Sequence, residues 1–411
     1  MLKVYFAVNE SGVNYWRGKI PYYELERRGL CEIRKFNVYD YSGEQASADI
    51  AWADVIYMPC ATGIETLIEM TNYIKAKKAV VVDYDDNLFD CHPFNPAYAT
   101  LGLYPITLNN PDGTVIDLWK DQRHGFSLND NRKRFYAHVD ILTVANQVTT
   151  TTNSLKRSLM ENVTRDGSYF NVIPNAIDFK TFKPFDKRIR PKNVFRIGWA
   201  ASDSHVVEAR FVTRVIKELE NRRSDFQFVI LGNIEKMRFF TKELRHKIEW
   251  HEFTDLSVYP LKLASLELDL GICPLEDHSF NISKSALKWS EYSAMKVPSV
   301  VSNLDPYDCV ADRVDGLKAK DEVAFADRIC ELMDSEQLRN KIATNAYERN
   351  LKDFNIETVS DRWAEVFERA HLLPHKVTYG GEPIKPLEDK TVTLSNMPLN
   401  VKRELSMNGA R

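Results

Sequence analysis

Lys284, Lys288 and Glu291 stand at i, i+4 and i+7 of one short run, Lys284-Ser-Ala-Leu-Lys288-Trp-Ser-Glu291. The surrounding pattern predicts a helix from about Ile282 to Met295. At 3.6 residues per turn the three side chains share a face, within roughly 60° of one another. Two cations near a helix start suit a diphosphate, and a carboxylate two turns in can accept both hydroxyls of a ribose. The plain alternative is a solvated face of i,i+3 and i,i+4 ion pairs. A buried strand at Leu268–Leu275 and the polar turn Glu276-Asp-His-Ser-Phe-Asn281 lead into this helix. In open α/β sheets free amides and the helix dipole point to such strand-to-helix joins, which makes Asn281 a further candidate.

Other joins carry polar residues too. Asn9-Glu-Ser-Gly12-Val-Asn-Tyr-Trp-Arg17 links the first strand to its helix. Gly12 there permits close backbone approach, and Arg17 either reaches a phosphate or lies on the helix surface. Phe195-Arg-Ile-Gly198-Trp-Ala-Ala-Ser202-Asp-Ser-His205 reads as a strand, a small-residue turn and a helix start. Small residues such as Gly198 and Ser202 let a phosphate approach free amides, although Ser202 or Asp203 could cap the helix instead. The acidic cluster Asp83-Tyr-Asp85-Asp86-Asn87 ends a strand rich in valine. It admits three readings: a metal site, an acceptor-hydroxyl site or base, and a turn held by Asx hydrogen bonds. His92, His205 and His278 each adjoin one of these joins, as ligand contacts or as ordinary surface residues.

The elements that must position these residues alternate between short apolar runs and amphipathic stretches, the pattern of parallel strands joined by crossover helices. Strands are expected at about Leu2–Val8, Cys31–Val38, Val55–Pro59, Ala79–Asp83, Gln147–Thr151 and Ser168–Ile173. Helices are expected at Pro21–Arg28, Ile64–Lys75 and Asn131–Val144. The stretch Asn87–Asp130, rich in Pro, Gly and Asn, is too long for a plain connection and is expected to be functional or mobile. A second series begins at Phe195–Trp199 and continues through Phe226–Leu231, Ile248–Phe253, Leu268–Cys273 and Ser299–Ser302. Two doubly wound α/β domains follow, at 1–175 and 194–355, with a linker at 176–193. Ile356–Leu372 reads as a helix that packs back across the first domain, and 373–411 as a peripheral tail.

The chain of 411 residues, 44% hydrophobic, has room for two cores. A net charge of −3 gives no global field toward nucleic acid or an anionic membrane. The six cysteines lie far apart with no CxxC pair, which fits reduced thiols in a cytoplasmic protein. No run of apolar residues is long enough to span a membrane.

The run from Lys284 through Glu291 to Pro298-Ser-Val-Val-Ser302 resembles the carboxy-terminal signature of the GT-B glycosyltransferases, in particular the retaining group called family 4. Val172-Ile-Pro174-Asn175-Ala-Ile-Asp178 resembles the turn that closes the first domain in that family. Asp83-Tyr-Asp-Asp-Asn-Leu-Phe89 with Asn95-Pro-Ala-Tyr98 is similar to segments of its bacterial and phage members. The resemblance implies two Rossmann-like domains facing across a cleft, with a C-terminal helix crossing back. It also implies a nucleoside diphosphate sugar as co-substrate, with no tightly bound cofactor and no metal.

On this resemblance Glu291 holds the nucleotide ribose, while Lys284 and Lys288 replace an Arg and Lys pair on the diphosphate. Ser283 occupies the place of the family's first Glu, which Glu276 or Asp277 could substitute, and Lys296 stands where Gly is usual. Asp85, Asp86, Arg17 and His92 fall in the acceptor half, with Asp85, Asp86 and Lys284 as catalytic candidates. The implied activity is glycosyl transfer to an acceptor hydroxyl, with the retaining chemistry of the group. A nucleotide-sugar epimerase or hydrolase and a non-catalytic nucleotide-sugar binding protein are the alternatives. A glycan, a lipid-linked acceptor or a modified nucleobase would fit the acceptor.

Overall fold

The computed structural model describes residues 1–8, 12–37, 39–40, 42–109, 113–184, 194–201, 205–232, 238, 241–373, 387 and 390–395. The first half contributes strands β1 (Leu2–Phe6), β2 (Cys31–Lys35), β3 (Val55–Pro59), β4 (Ala79–Tyr84), β5 (Ile106–Asn109), β6 (Val115–Trp119), β7 (Gln147–Thr150) and β8 (Phe170–Val172). Six of them form a parallel sheet in the order β2-β1-β3-β4-β7-β8. Val80, Val81 and Val82 of β4 are completely buried, since a parallel sheet covered on both faces needs an unbroken apolar run.

The second half repeats the arrangement. Strands β9 (Phe195–Ala201), β10 (Phe226–Gly232), β11 (Ile248–His251), β12 (Leu270–Cys273), β13 (Ser299–Ser302) and β14 (Leu317–Ala319) pair in the order β11-β10-β9-β12-β13-β14. In each sheet the winding reverses beside the first strand, between β1 and β3 and between β9 and β12. Ligands of open α/β sheets bind outside the carboxyl ends of the strands at such a reversal.

The chain crosses between the domains twice, and the crossings lie side by side. Ile177 N donates to Phe354 O at 2.8 Å and Ile356 N donates to Ile177 O at 3.0 Å. From there the helix Ile356–Leu372 runs back over the first sheet. Its Trp363 meets Tyr57 of β3 edge-on at 5.3 Å, and its Phe367 meets Phe6 of β1 at 5.8 Å. One hydrophobic core therefore joins Phe6, Tyr57, Trp363 and Phe367 to Trp289 of the second domain.

Two expectations gain detail and one needs correction. The long stretch after β4 is ordered around the helix Tyr98–Leu101 and the antiparallel pair β5–β6, closed over Tyr98, Trp119 and Phe126. The carboxy-terminal tail returns as strand β15 (Val392–Ser395), which pairs in parallel with β5. The helix predicted over Ile282–Met295 is broken into Ser279–Ile282 and Leu287–Ala294. A continuous helix would spend the Ser283 carbonyl on the amide four residues on, but here it accepts from Thr152 Oγ1 of the first domain at 3.2 Å. The linker residues 185–193 lie outside the described residues.

Candidate functional site

A cavity of about 320 Å³ lies between the carboxyl edges of the two sheets. Gly12 and Trp16 after β1, and Asp85 and Asp86 after β4, line it from the first domain. Ala200 and Ala201 at the end of β9, His205, Lys284, Lys288 and Glu291 line it from the second. A Cβ built on Gly12 meets nothing within 4 Å, so the backbone there is open to close approach.

Lys288 and Glu291 sit one turn apart on Leu287–Ala294, as predicted from their spacing. Lys284 lies in the break before that helix and so does not share its face with them, yet it lines the same cavity. Burial pushes the Lys288 ammonium below its ordinary pKa against the pull of Glu291. Among the described residues no carboxylate lies within ion-pair distance of Lys288. Burial likewise raises the Glu291 carboxyl, opposed by Lys288 and by Tyr259, whose hydroxyl donates to Glu291 Oε2 at 2.9 Å. Burial would lower Lys284, but Asp86, Glu208 and Asp85 outweigh it and raise the pKa. The Lys284 ammonium stands 3.4 Å from Asp86 Oδ1 of the opposite domain.

The acidic cluster divides. Asp83 is wholly buried and accepts two hydrogen bonds from Arg17, at 2.9 and 2.7 Å, and one from Thr149 at 2.5 Å. It is committed to that pair inside the fold and does not line the cavity. Asp85 receives Asn175 Nδ2 at 3.0 Å. Burial and the neighbouring Asp86 push its carboxyl up to about 6, while Arg17 and Asn175 pull the other way.

Several predicted site residues are placed elsewhere. Arg17 neither lies on a surface nor reaches the cavity: it is 1% exposed, with Nη1 donating to Ile173 O at 2.8 Å and its guanidinium 4.9 Å from the Trp363 ring. Gly198 lies inside β9 opposite Gly271, where a Cβ would come within 2.2 Å of Leu268, so its role is close packing. Ser283 is fully buried in the domain contact, its hydroxyl 3.2 Å from Ser158 Oγ. Asn281 is buried behind the cavity wall, donating to Glu208 Oε1 at 2.6 Å and Glu276 O at 3.0 Å. His92 packs against His278 across the cleft, with ring centroids 4.3 Å apart and planes tilted by 33°, instead of lining the cavity. Ser202 lies outside the described residues.

Sequence reasoning missed Glu208, Tyr259 and the reach of Asn175. Glu208 had a signal, a lone carboxylate within Val206-Val-Glu-Ala209. Tyr259 had none. Asn175 stood in the motif, but nothing in the sequence shows that it would span from Asp85 to Ser285 Oγ, 3.0 Å away in the second domain.

Residues 194–335 match the family model described as Glycosyl transferases group 1, which covers most of the second domain. The whole chain resembles solved structures. Anabaena Alr3699/HepE in complex with UDP and glucose is 14% identical with a TM-score of 0.61, over 90% of this chain and 100% of that one. Sucrose-phosphate synthase from Thermosynechococcus elongatus is 11% identical with a TM-score of 0.61, over 90% and 99%. A glycosyltransferase from Rickettsia africae is 13% identical with a TM-score of 0.59, over 90% and 98%. No curated protein sequence matches significantly. The protein thus has the fold of the GT-B glycosyltransferases, and residues 194–335 of its second domain match the Glycosyl transferases group 1 model. No described helix is long and apolar enough to cross a membrane.

Proposed function

We propose that this chain transfers a sugar from a nucleoside diphosphate sugar to an acceptor hydroxyl. The observation that carries this reading is the pair Lys288 and Glu291, a half-buried cation and a buried carboxylate facing one cavity with few protein partners. Burying charge is costly unless something compensates it. A donor satisfies both, its diphosphate on Lys288 and Lys284 and its ribose hydroxyls on Glu291. Phe253 and Leu256 on the same wall offer apolar surface to a base.

Positive charge fixed beside the leaving diphosphate stabilises the charge that develops as the glycosidic bond breaks. Asp85 and Asp86 enter from the acceptor side, where the half-buried Asp85 carboxylate with its raised pKa suits proton acceptance near neutrality. Domain closure about the paired crossings would exclude water and limit donor hydrolysis. We assign the reaction to the retaining class, on the likeness of the Lys284–Ser302 run to that group.

The test is nucleotide release from a panel of nucleoside diphosphate sugars, with and without pooled glycan and lipid-linked acceptors. Acceptor-dependent release that falls in Lys288→Ala supports transfer. Release without acceptor would point to hydrolysis, and binding without release to a protein that only holds its ligand.

A further inference from the structure

Glu208 is a buried charge that the proposed transfer does not use. It lies in the first turn of the helix Val206–Glu220, 1% exposed. Its carboxyl is held below the usual range: burial raises it, but His205 and Asn281 together more than offset that. Among the described residues no lysine or arginine lies within ion-pair distance of it. Among the described residues its partner at ion-pair distance is His205, whose Nδ1 lies 3.5 Å from Glu208 Oε2, is buried and has no hydrogen-bond partner among those residues. His205 also lines the cavity that Lys284 and Lys288 face. The two nitrogens of an imidazole point in divergent directions, so an Nδ1 turned to Glu208 leaves Nε2 directed away from it.

We infer that His205 and Glu208 form a proton-linked contact for a diphosphate: binding draws one proton from solvent onto His205, which donates through Nε2 to the anion while Nδ1–H closes on Glu208. This rests on the donor reading above. The groups facing His205 are Glu208 from its own helix and Lys284 and Lys288 from the segment opposite. Burial lowers its pKa to about 4; Glu208 opposes this, and the two lysines add to it. A diphosphate neutralises the lysines' field and brings negative charge to the ring, and both changes favour the imidazolium. The arrangement is that of a carboxylate-oriented histidine whose charge appears only with its ligand.

The experiment is calorimetric titration of the full chain with UDP, GDP and ADP in two buffers of different ionisation enthalpy, from pH 6 to 8. His205→Gln, His205→Asn and Glu208→Gln are compared with wild type after circular dichroism confirms folding; the glutamine at 208 keeps an acceptor for Asn281. Protonation of the nucleotide itself is common to all four proteins. The expected result is greater proton uptake in wild type than in every variant. The wild-type to His205→Gln affinity ratio should grow as pH falls, by at most about tenfold per pH unit for one linked proton. Nucleotide binding with equal proton uptake in all proteins would overturn this inference and leave the donor reading standing. Absence of binding to wild type would overturn both.

Discussion

Asn175 Nδ2 lies 3.0 Å from Asp85 Oδ1, and the orientation of that amide is fixed because its Oδ1 accepts from Arg17 Nη1 at 3.2 Å. Arginine has donors only, so the amide oxygen must face Arg17 and the NH₂ must face Asp85. A donor to a carboxylate stabilises the ionised form. If Asp85 accepts a proton in turnover, kcat/KM rises with pH along a limb near 6, the value to which burial and Asp86 push this carboxyl. Asn175→Ala should move that limb to higher pH, and Asp85→Asn should lower turnover by about 10² or more. A pH profile unchanged by Asn175→Ala would remove Asp85 as the titrating group.

Lys284 is shared between Asp86 across the cleft and the cavity. A donor diphosphate competes with Asp86 for the ammonium, so Asp86→Asn should tighten donor binding modestly, by about two- to fivefold, as expected for a partly exposed pair. The same substitution should lower kcat if Asp86 serves the acceptor. Separate measurements of donor Kd and of kcat give the two signs, and weaker donor binding in Asp86→Asn would show that the carboxylate itself helps to build the donor site.

Arg17 and Asp83 form a buried, bidentate ion pair that ties the first helical turn after β1 to the end of β4. Removing one partner leaves the other charged and unpaired in the interior, at a cost of about 3–5 kcal/mol. Arg17→Ala should therefore lower the thermal midpoint strongly, and Arg17→Lys should not restore it, since an ammonium cannot reproduce the fork to Asp83, Ile173 O and Asn175. Thermal unfolding of the double variant Arg17→Met/Asp83→Leu should show less loss than the sum of the singles.

Strand β15 closes the small sheet over β5 with Thr393 Oγ1 3.1 Å from Thr107 Oγ1. Deleting residues 390–411 should raise amide exchange at 106–109 while leaving β1 and β4 protected, as expected for a local unit of low stability. Loss of protection throughout the first sheet would mean that the strand supports the domain as a whole.

Most of the architecture was legible because both sheets are parallel and buried, which gives strands such as Val55–Pro59 and the stretch 79–82 of β4 unbroken apolar runs. Helices Ile64–Lys75 and Ile356–Leu372 carried their period openly and end where predicted. Lys288 and Glu291 were legible for the same reason, since helical spacing alone puts them on one face. Lys284 reached the cavity by another route, because Thr152 captures the carbonyl that would have continued the helix. Arg17, Asn281 and Ser283 were misplaced because their partners lie 66, 73 and 125 residues away in the chain, and no local pattern encodes such contacts. Strand β14, of three residues, was too short to show a period.

If Glu291 holds the ribose of a nucleoside diphosphate sugar, ligand-induced thermal stabilisation of the protein must depend on its carboxylate. Across a panel of such sugars, at least one should raise the midpoint of the wild-type chain, with a stabilisation of about 2.7 kcal/mol when the ligand is at 100 times its Kd. Glu291→Gln should remain folded and lose most of that shift. An undiminished shift in Glu291→Gln, or no shift with any nucleotide sugar in the wild-type chain, would contradict the assignment.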